Sequence, residues 1–335
     1  MRTGNCVKAK FFTWTLGTLL VALCTSADAQ QPTGKISRIG YLSPSFPTVD
    51  STYSTIFRQG LRELGYTEGK NLAIEYRYAE AKLERLPDFA AELVRLRVDV
   101  IITIGGTPPA LAAKNATTTL PIVFTAMGDP VTSGLVASLA RPGGNITGLT
   151  ILTPELSGKR LELLKEAFPK TSLVAVLWNP SNPSSKIALK ETEGAAQTLG
   201  LKLRSLEVRR AEDIEGTFLA ATKGGATALV ALTDPLITGY RTRIIELATK
   251  SRLPTIFDPR EFAEAGGLMS YGPNRSEMYH RAAYFVDKIL KGTKPADLPV
   301  EQPTKFEFIV NLKTAKQIGV TIPPNVLVRA DRVVK

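Results

Sequence analysis

The residue types that most often carry out chemistry are scarce in this 335-residue sequence. There is one histidine, His280, and the two cysteines are Cys6 and Cys24. Zinc fingers, CxxC redox motifs and clusters of Cys and His metal ligands are therefore excluded. His280 shares the polar face of a predicted helix with Tyr284 and Asp287, so we expect a solvated surface residue and a poor general base.

Sequence motifs for nucleotide binding and acyl transfer are absent as well. Gly65-x-x-x-Gly69-Lys70 resembles a P-loop, but it has one residue too few between its glycines and precedes a predicted strand. The sequence contains neither GxGxxG nor GxSxG. We therefore predict that the chain is not an enzyme and that it has no metal and no cofactor.

A set of polar and aromatic side chains is instead suited to holding a small organic solute. Their hydroxyl, amide and carboxylate groups can bind charged ends of a ligand, and their rings can pack against its apolar body. All of them lie at or just after the ends of predicted strands. These candidate ligand-binding residues are Ser43, Ser45, Thr107, Thr125, Asp129, Trp178, Asn179, Asn182, Asp234, Asp258 and Tyr271.

The candidates divide by the ligand group that each could bind. The helix predicted after Thr107 offers free backbone N–H groups to an anion, an interaction worth about 0.3–1 kcal/mol. Asp129, Asp234 and Asp258 could balance an ammonium group. Each of these aspartates precedes a proline, so a turn or a helix N-cap explains them equally well. Trp178 is similarly compatible with a place in the core.

Two similar series of alternating strands and helices position these residues. The first runs from a strand at residues 38–42 to one at 121–125, and the second from 173–178 to 254–258. The sequences Leu64-Gly65-Tyr66 and Leu199-Gly200-Leu201 occupy equivalent places in the two series. Strand–helix–strand alternation indicates parallel sheets covered by helices. We predict an α/β protein with two doubly wound parallel-sheet lobes joined by a hinge.

The predicted lobes are each assembled from two stretches of chain. Residues 36–148 and 272–300 form the N-terminal lobe, and residues 149–271 and 301–335 form the C-terminal lobe. In parallel sheets, ligands bind in the crevice beyond the carboxyl ends of the strands. Two such crevices that face each other would enclose a solute when the hinge closes.

The N-terminal residues have the composition of an export signal. Arg2, Lys8 and Lys10 precede an apolar stretch at residues 11–24, and Ala27-Asp28-Ala29 provides a small-x-small cleavage site. We predict a signal peptide over residues 1–29 and a periplasmic protein cleaved after Ala29. About 14 apolar residues fall short of the roughly 20 that a membrane span needs, while Cys24 leaves lipid attachment open.

The formal net charge of +11 raises the question of nucleic-acid binding. The basic residues are scattered, without a run of five and without interleaved aromatic residues. We therefore expect a basic solvated surface and no nucleic-acid partner.

Several short segments spread along the sequence together match the pattern of one known family. They are residues 60–66 (GLRELGY), 68–72 (EGKNL), 120–124 (LPIVF), 128–131 (GDPV), 134–136 (GLV), 141–148 (RPGGNITG), 178–182 (WNPSN), 233–234 (TD), 270–272 (SYG) and 288–292 (KILKG). In these segments the chain resembles the substrate-binding proteins of ABC transporters, in their tryptophan/aromatic-amino-acid-binding-like group. The resemblance extends over residues 36–300 and implies a type I periplasmic-binding-protein fold.

The resemblance implies capture of a small organic solute, such as an amino acid or an aromatic or carboxylate compound. It also implies a membrane permease and an ATPase as partners, and a monomeric protein. By the family pattern Thr107 lies at the anion end of the ligand, and Asn179, Asp234 and Tyr271 come from the second lobe or the hinge.

Two other functions remain open at this stage. The same lobes could serve a sensor that signals through a membrane partner, and neighbouring permease and ATPase genes would argue for transport instead. A two-lobed glycosyltransferase-like enzyme is the third hypothesis, which the export signal and the absence of a phosphate-binding loop disfavour.

Overall fold

The described part of the chain, in a computed structural model, comprises residues 36–151, 153–258 and 260–335. The predicted signal peptide at residues 1–29 lies outside the described residues. The described residues form two β-sheets with helices on both faces of each sheet. The predicted α/β class with two parallel-sheet lobes is confirmed.

The first sheet has five parallel strands in the order β2-β1-β3-β4-β5. Its strands are β1 (Ser37–Ser43), β2 (Leu72–Tyr78), β3 (Val100–Thr103), β4 (Ile122–Met127) and β5 (Ile146–Thr150). Its helices are α1 (Pro47–Glu63), α2 (Leu86–Arg95), which follows a short 3-10 turn at Leu83–Arg85, and α3 (Thr107–Ala116).

The second sheet has seven strands in the order β12-β11-β10-β9-β8-β6-β7. Its strands are β6 (Leu173–Trp178), β7 (Lys202–Glu207), β8 (Ala228–Ala231), β9 (Thr255–Phe257), β10 (Met269–Pro273), β11 (Phe306–Asn311) and β12 (Arg332–Val334). The pair β10–β11 is antiparallel and the other pairs are parallel.

Among the described residues, eight helices lie between or beside the strands of the second sheet in the sequence, and a ninth helix returns to the first sheet. They are α4 (Thr153–Ala167), α5 (Pro183–Leu199), α6 (Asp213–Lys223), α7 (Pro235–Gly239), α8 (Arg241–Lys250), α9 (Arg260–Glu264), α11 (Leu312–Ile318) and α12 (Pro324–Val328), and the returning helix is α10 (Arg275–Leu290), followed by a 3-10 turn at Pro295–Asp297.

The central strands, such as β3 and β6, are apolar because both faces of each sheet are covered. In β3, Ile102 belongs to the core formed with α1 and α10, while its neighbour Ile101 belongs to the core formed with α2 and α3. In β6, Val176 and Leu177 divide between the two faces of the second sheet in the same way. Alternate burial on opposite faces explains the continuous apolar runs in the sequence.

The chain passes between the two sheets three times: after β5, after β10, and before β11. The crossing segments bond to one another, since Thr150 N donates to Glu301 O at 2.9 Å and Asn274 N donates to Lys305 O at 2.9 Å. The lobe boundaries near residues 148 and 271 stay a prediction, as β5 ends at Thr150 and β10 at Pro273.

Several elements were not predicted from the sequence. β5 contains Gly148 and follows a Pro-Gly-Gly turn, so its five residues lacked a strand pattern. Where the sequence predicts one helix at residues 238–250, the structure has α7 and α8 on either side of Tyr240. The edge strand β12 and helices α4, α9 and α12 also went unpredicted. β11 was expected as a strand, but its antiparallel pairing with β10 was not.

No helix in the described part of the chain has both the length and the apolar character that crossing a bilayer requires. Those residues also lack any group of three or more His, Cys, Asp or Glu side chains that could hold a metal ion.

Candidate functional site

A cleft of about 580 Å³, counting its open mouth, lies where the carboxyl ends of the two sheets meet. The first lobe lines it with residues from β1, α1, β3 and β4, and the second with residues from β8 through α9. Helix α10 completes it. The lining residues are Ser43, Pro44, Ser45, Val49, Asp50, Tyr53, Ile104, Gly105, Ala126, Thr233, Asp234, Pro235, Thr238, Arg241, Glu261, Arg275 and Tyr279.

The turn after β3 brings backbone close to the opposite lobe. Gly105 and Gly106 have φ values of +75° and +119°, a region that strongly favours glycine. A Cβ atom at Gly106 would lie 3.8 Å from Pro235 of the second lobe. These two glycines therefore set how α3 starts at the edge of the cleft.

Two tyrosine rings form an aromatic wall of the cleft. Tyr53 of α1 stacks on Tyr279 of α10, with ring centroids 4.3 Å apart and planes inclined by 19°. The Tyr53 hydroxyl is buried and has no hydrogen-bond partner among the described residues. Flat aromatic faces of this kind suit an aromatic or aliphatic ligand body.

Asp50 places a carboxyl group in the same part of the cleft. It lies in the first turn of α1 and is 4% exposed. The Tyr41 hydroxyl donates a hydrogen bond to it at 2.5 Å. Burial raises the pKa of Asp50 to about 7, although the hydrogen bond from Tyr41 opposes that rise.

Arg241, the first residue of α8, contributes a guanidinium to the cleft from the second lobe. Its Nη1 donates to the Thr238 carbonyl at 3.4 Å, and its Nε is buried with no partner in the part of the chain that the structure describes. Burial lowers the pKa of Arg241, yet an arginine remains a cation at neutral pH. A ligand carboxylate would supply the acceptor that this group lacks.

An ion network lies beside the cleft, centred on Asp258. Its carboxylate accepts hydrogen bonds from Arg160 at 2.5 Å, Arg275 at 2.6 Å and Thr233 at 2.5 Å. Burial alone would raise the pKa of Asp258, but the two arginines outweigh burial and hold it below its usual range. One negative charge between two buried cations leaves the group with one net positive charge.

Glu261 of α9 is a second buried carboxyl group close to this network. Both of its carboxylate oxygens are buried and accept no hydrogen bond within residues 36–335 as described. Burial raises the pKa of Glu261, and the nearby Arg275 cation lowers it in part. With Glu261 ionised, the network of two arginines and two carboxylates is neutral.

The carboxylate of Asp234 accepts hydrogen bonds from groups of its own lobe. Asn182 and Asn179 donate side-chain N–H groups to it at 2.9 and 3.2 Å, and the backbone N–H groups of Leu236 and Ile237 donate at 2.8 and 3.3 Å. Asp234 is thus the N-cap of α7. Burial raises its pKa, and these donors counteract the rise.

The sequence-predicted residues fall into three groups. Ser43, Ser45 and Asp234 line the cleft. Asn179, Asn182 and Asp258 stand behind it and hold Asp234 or the buried arginines in place. The remaining five, whose positions are described next, are Thr107, Thr125, Asp129, Trp178 and Tyr271.

These five residues have other contacts in the structure. Thr107 hydrogen-bonds to Ser184, Thr125 is buried in β4, and Asp129 accepts hydrogen bonds from Val131 and Thr132 of its own turn. Trp178 packs against the core of the second lobe, and the Tyr271 carbonyl accepts a bond from Arg160 at 2.8 Å. Their roles in ligand binding stay a prediction. His280 is exposed and bonds to Glu63 at 2.8 Å.

Sequence reasoning missed the cleft residues that lie inside helices rather than at strand ends. They are Asp50, Tyr53, Arg241, Glu261, Arg275 and Tyr279. Asp50 and Tyr53 are three residues apart, which places them on one face of α1. That spacing, in the helix that follows the first strand, was the one local signal available; the others meet only through tertiary packing.

Residues of the two lobes approach each other closely beside the cleft. Thr107 Oγ1 lies 2.5 Å from Ser184 Oγ, and the rings of Phe46 and Tyr240 meet edge to face at 6.3 Å. A Cβ atom at Gly128 would lie 2.6 Å from Ser184 Oγ. The lobes are therefore in contact, and Gly128 is a point of close approach.

We expect Gly128→Leu to lower ligand affinity at least about tenfold, since a side chain there would collide with Ser184 and oppose the approach of the lobes. The fold of each lobe should remain, so the melting temperature of the ligand-free protein should change little. Gly194→Leu in α5 is the matched control, because no atom lies within 4 Å of a Cβ at that position. Equal affinity of both variants, measured by calorimetry, would refute the role assigned to Gly128.

Comparisons with known proteins agree with this architecture. The family model described as "ABC transporter substrate binding protein" matches residues 44–334. A tyrosine-binding protein of Clostridioides difficile (strain R20291) is 29% identical over 263 residues, which cover 78% of this chain and 75% of that protein.

Two solved structures illustrate the arrangement of the lobes. One is an ABC domain from Streptococcus pneumoniae in complex with L-Trp, with 28% identity, a TM-score of 0.83, and coverage of 89% of this chain and 99% of that one. The other is a ligand-free, open substrate-binding protein with adhesive properties from Clostridium difficile, with 28% identity, a TM-score of 0.65, and coverage of 90% and 99%. At equal identity, the TM-score is higher with the liganded relative than with the open, ligand-free one.

Proposed function

Because the chain belongs to the family of ABC transporter substrate-binding proteins, we propose that it captures an aromatic α-amino acid between its lobes for an ABC importer. The membership, which confirms the resemblance inferred from the sequence, makes the chain a solute-binding protein rather than an enzyme. Proteins of this family act outside the cytoplasm; the cleaved leader, the periplasmic location and the permease and ATPase partners belong to the proposal.

The observation that carries the proposal is the charge balance of the cleft. Arg160 and Arg275 are both paired with the Asp258 carboxylate, and Asp234 is satisfied by amide and backbone donors. Arg241 and Asp50 are left facing the cleft from opposite lobes, one as a cation and the other as a carboxyl group without an ion-pair partner among the described residues. A zwitterion bound between them would give each group a partner of opposite charge.

The aromatic wall indicates which side chain the bound zwitterion has. Tyr53 and Tyr279 present stacked rings beside Asp50, so an aromatic side chain can pack there while the α-carboxylate pairs with Arg241 and the α-ammonium with Asp50. The ligands named for the relatives, L-Trp and tyrosine, have this combination of groups.

Hinge closure supplies the mechanism of capture. A ligand that touches Asp50 and Tyr53 of the first lobe alone would leave its carboxylate in water, and closure would add Arg241 from the second lobe. Shifting a two-state hinge from 1:99 to 99:1 requires about 5.5 kcal/mol of differential binding. Two charge-assisted hydrogen bonds at about 3 kcal/mol each, the upper end of their usual range, reach this amount.

A thermal-shift screen of purified protein tests the proposal. The panel is L-tryptophan, L-tyrosine and L-phenylalanine, with L-lysine, L-glutamate and a pentose as comparators. We expect the aromatic amino acids to raise the melting temperature by mass action, with about 2.7 kcal/mol of stabilisation at a concentration 100 times Kd. A shift with a comparator alone, or with no member of the panel, would contradict the proposal.

A further inference from the structure

Asp50 is a carboxyl group of the cleft that the protein itself does not balance with a cation. It is 4% exposed and forms no ion pair with any of the described residues; it accepts a hydrogen bond from the Tyr41 hydroxyl. By contrast, two arginines hold Asp258, and four N–H donors hold Asp234. Asp50 is therefore positioned to meet a cation that comes from outside the chain.

The surroundings of Asp50 are rings of tyrosine rather than charged side chains. β1 contributes Tyr41, β2 contributes Tyr76 and Tyr78, and α10 contributes Tyr279, all close enough for their pKa values to be raised by the Asp50 charge. Faces of aromatic rings attract cations, most strongly where water is excluded. The pocket around Asp50 thus favours a positive group once the carboxyl is ionised.

Other charged groups that could influence Asp50 are spread around it. On its own helix Arg58 acts on Tyr76 and Tyr78, and Glu63 at the far end of α1 pairs with His280 of α10. The charged residues that share the cleft with Asp50 are Asp234, Arg241, Glu261 and Arg275. The factors that shift its pKa are burial first and the hydrogen bond from Tyr41 second.

We propose that Asp50 is the specificity-determining residue that receives the ligand's ammonium group, and that it gives up its proton to solvent as the ligand binds. The proposal rests on the proposed function and deepens it. The proton balance is simple: a neutral carboxyl and an ammonium ligand become a carboxylate–ammonium pair, and one proton leaves to the buffer. No bond of the ligand breaks.

The sign of the resulting pH dependence follows from linkage. Burial raises the pKa of Asp50 to about 7 in the ligand-free protein, and a bound ammonium lowers it. At about pH 6 most molecules carry the proton and must release it, whereas at about pH 8.5 the carboxylate already exists. Affinity therefore rises by up to about tenfold per pH unit below 7 and levels off above it.

Isothermal titration calorimetry in pairs of buffers with different ionisation enthalpies measures the protons released. The probe is whichever of L-tryptophan, L-tyrosine and L-phenylalanine binds most tightly. For the wild-type protein we expect close to one proton released at about pH 6 and almost none at about pH 8.5. Indolepropionate or phenylpropionate, which lack the amino group, should release none.

Asp50→Asn should abolish proton release and remove the preference for the amino acid over its deaminated analogue. Asp213→Asn, on the surface of the second lobe, is the matched control and should retain both. Tyr41→Phe provides an independent variant: the Tyr41 hydroxyl lowers the pKa of Asp50, so its loss should move the midpoint of the affinity profile to higher pH. A purely structural Tyr41 would leave that midpoint in place.

The outcomes separate this inference from the function on which it rests. Binding without proton release, proton release that persists in Asp50→Asn, or release that disappears in Glu261→Gln but not in Asp50→Asn would each overturn the inference alone. Failure of every aromatic amino acid to bind at either pH would overturn the proposed function and this inference together.

Discussion

Arg241→Ala is expected to lower the affinity for an aromatic amino acid by roughly 100-fold, the largest effect of any single change in the cleft. Truncating one partner of a desolvated, hydrogen-bonded charge pair costs about 2–5 kcal/mol, and 1.4 kcal/mol corresponds to a factor of ten. Arg241 has a buried Nε with no acceptor among the described residues. Its loss therefore removes the only cation that we assign to the ligand carboxylate.

Calorimetric titration of the variant and of a matched control measures this effect. Arg243→Ala lies two residues further along α8, where Arg243 pairs with Glu215 and Glu246 on the surface. We expect the control to bind with nearly wild-type affinity. If both variants bind within threefold of the wild-type protein, the carboxylate is held elsewhere, and the helix start at Thr107 becomes the alternative anchor.

A ligand amide in place of the carboxylate gives a second measurement of the same contact. Wild-type protein should bind L-tryptophanamide much more weakly than L-tryptophan, whereas Arg241→Ala should discriminate little between them. Equal discrimination by the two proteins would show that Arg241 acts on the cleft without touching the carboxylate.

Asp258→Asn is expected to have the largest effect on stability, a loss of about 3–5 kcal/mol in the free energy of unfolding. The carboxylate is fully buried between Arg160 and Arg275, with N–O distances of 2.5 and 2.6 Å. An amide of the same shape cannot neutralise two buried guanidinium groups, and leaving a buried charge unpaired costs this amount. Thermal denaturation should show a drop in melting temperature of roughly 6–15 °C.

The difference in stability between the wild-type protein and Asp258→Asn should change with pH in a defined direction. The arginines hold the pKa of Asp258 below its ordinary range, so its contribution to stability is present at neutral pH and is lost as pH falls through the folded-state pKa. The gap between wild type and Asp258→Asn should therefore be widest near neutrality and should narrow below about pH 4.

A surface ion pair provides the control for the Asp258 variant. Glu215 and Arg243 pair while remaining about half or more exposed, and exposed pairs contribute about 0–1 kcal/mol. Glu215→Gln should therefore leave the melting temperature almost unchanged. A comparable loss in both variants would mean that the Asp258 network is no more important to the fold than an ordinary surface pair.

The comparison of sequence and structure shows which information is local. Continuous apolar strands such as β6 and β11, and helices ended by glycine such as α5 at Gly200, were predictable because burial and capping act over a few neighbouring residues. β5 was not, because its Gly148 packs against the Phe124 backbone, a contact visible only once the sheet is formed.

The residues of the cleft likewise divide into those that local sequence identifies and those that only tertiary contacts bring together. Asp234 could be named from its place after β8, yet the sequence could not decide between ligand binding and capping; the structure shows four N–H donors on its carboxylate. Glu261 and Arg275 are charged residues in helices, and the local sequence indicates that such residues face solvent. Nothing in either helix reveals that Glu261 lies near Arg275, which pairs with the buried Asp258.

By itself the sequence determined the fold class, the duplication of the strand–helix series and the edge of each sheet at which the cleft lies, since these follow from periodicity and the direction of parallel strands. Only the tertiary structure decided which ionisable groups of the cleft lack an ion-pair partner within the described residues. Whether a carboxylate such as Asp50 or Asp258 is balanced depends on residues far away in the chain, and burial makes that balance decisive.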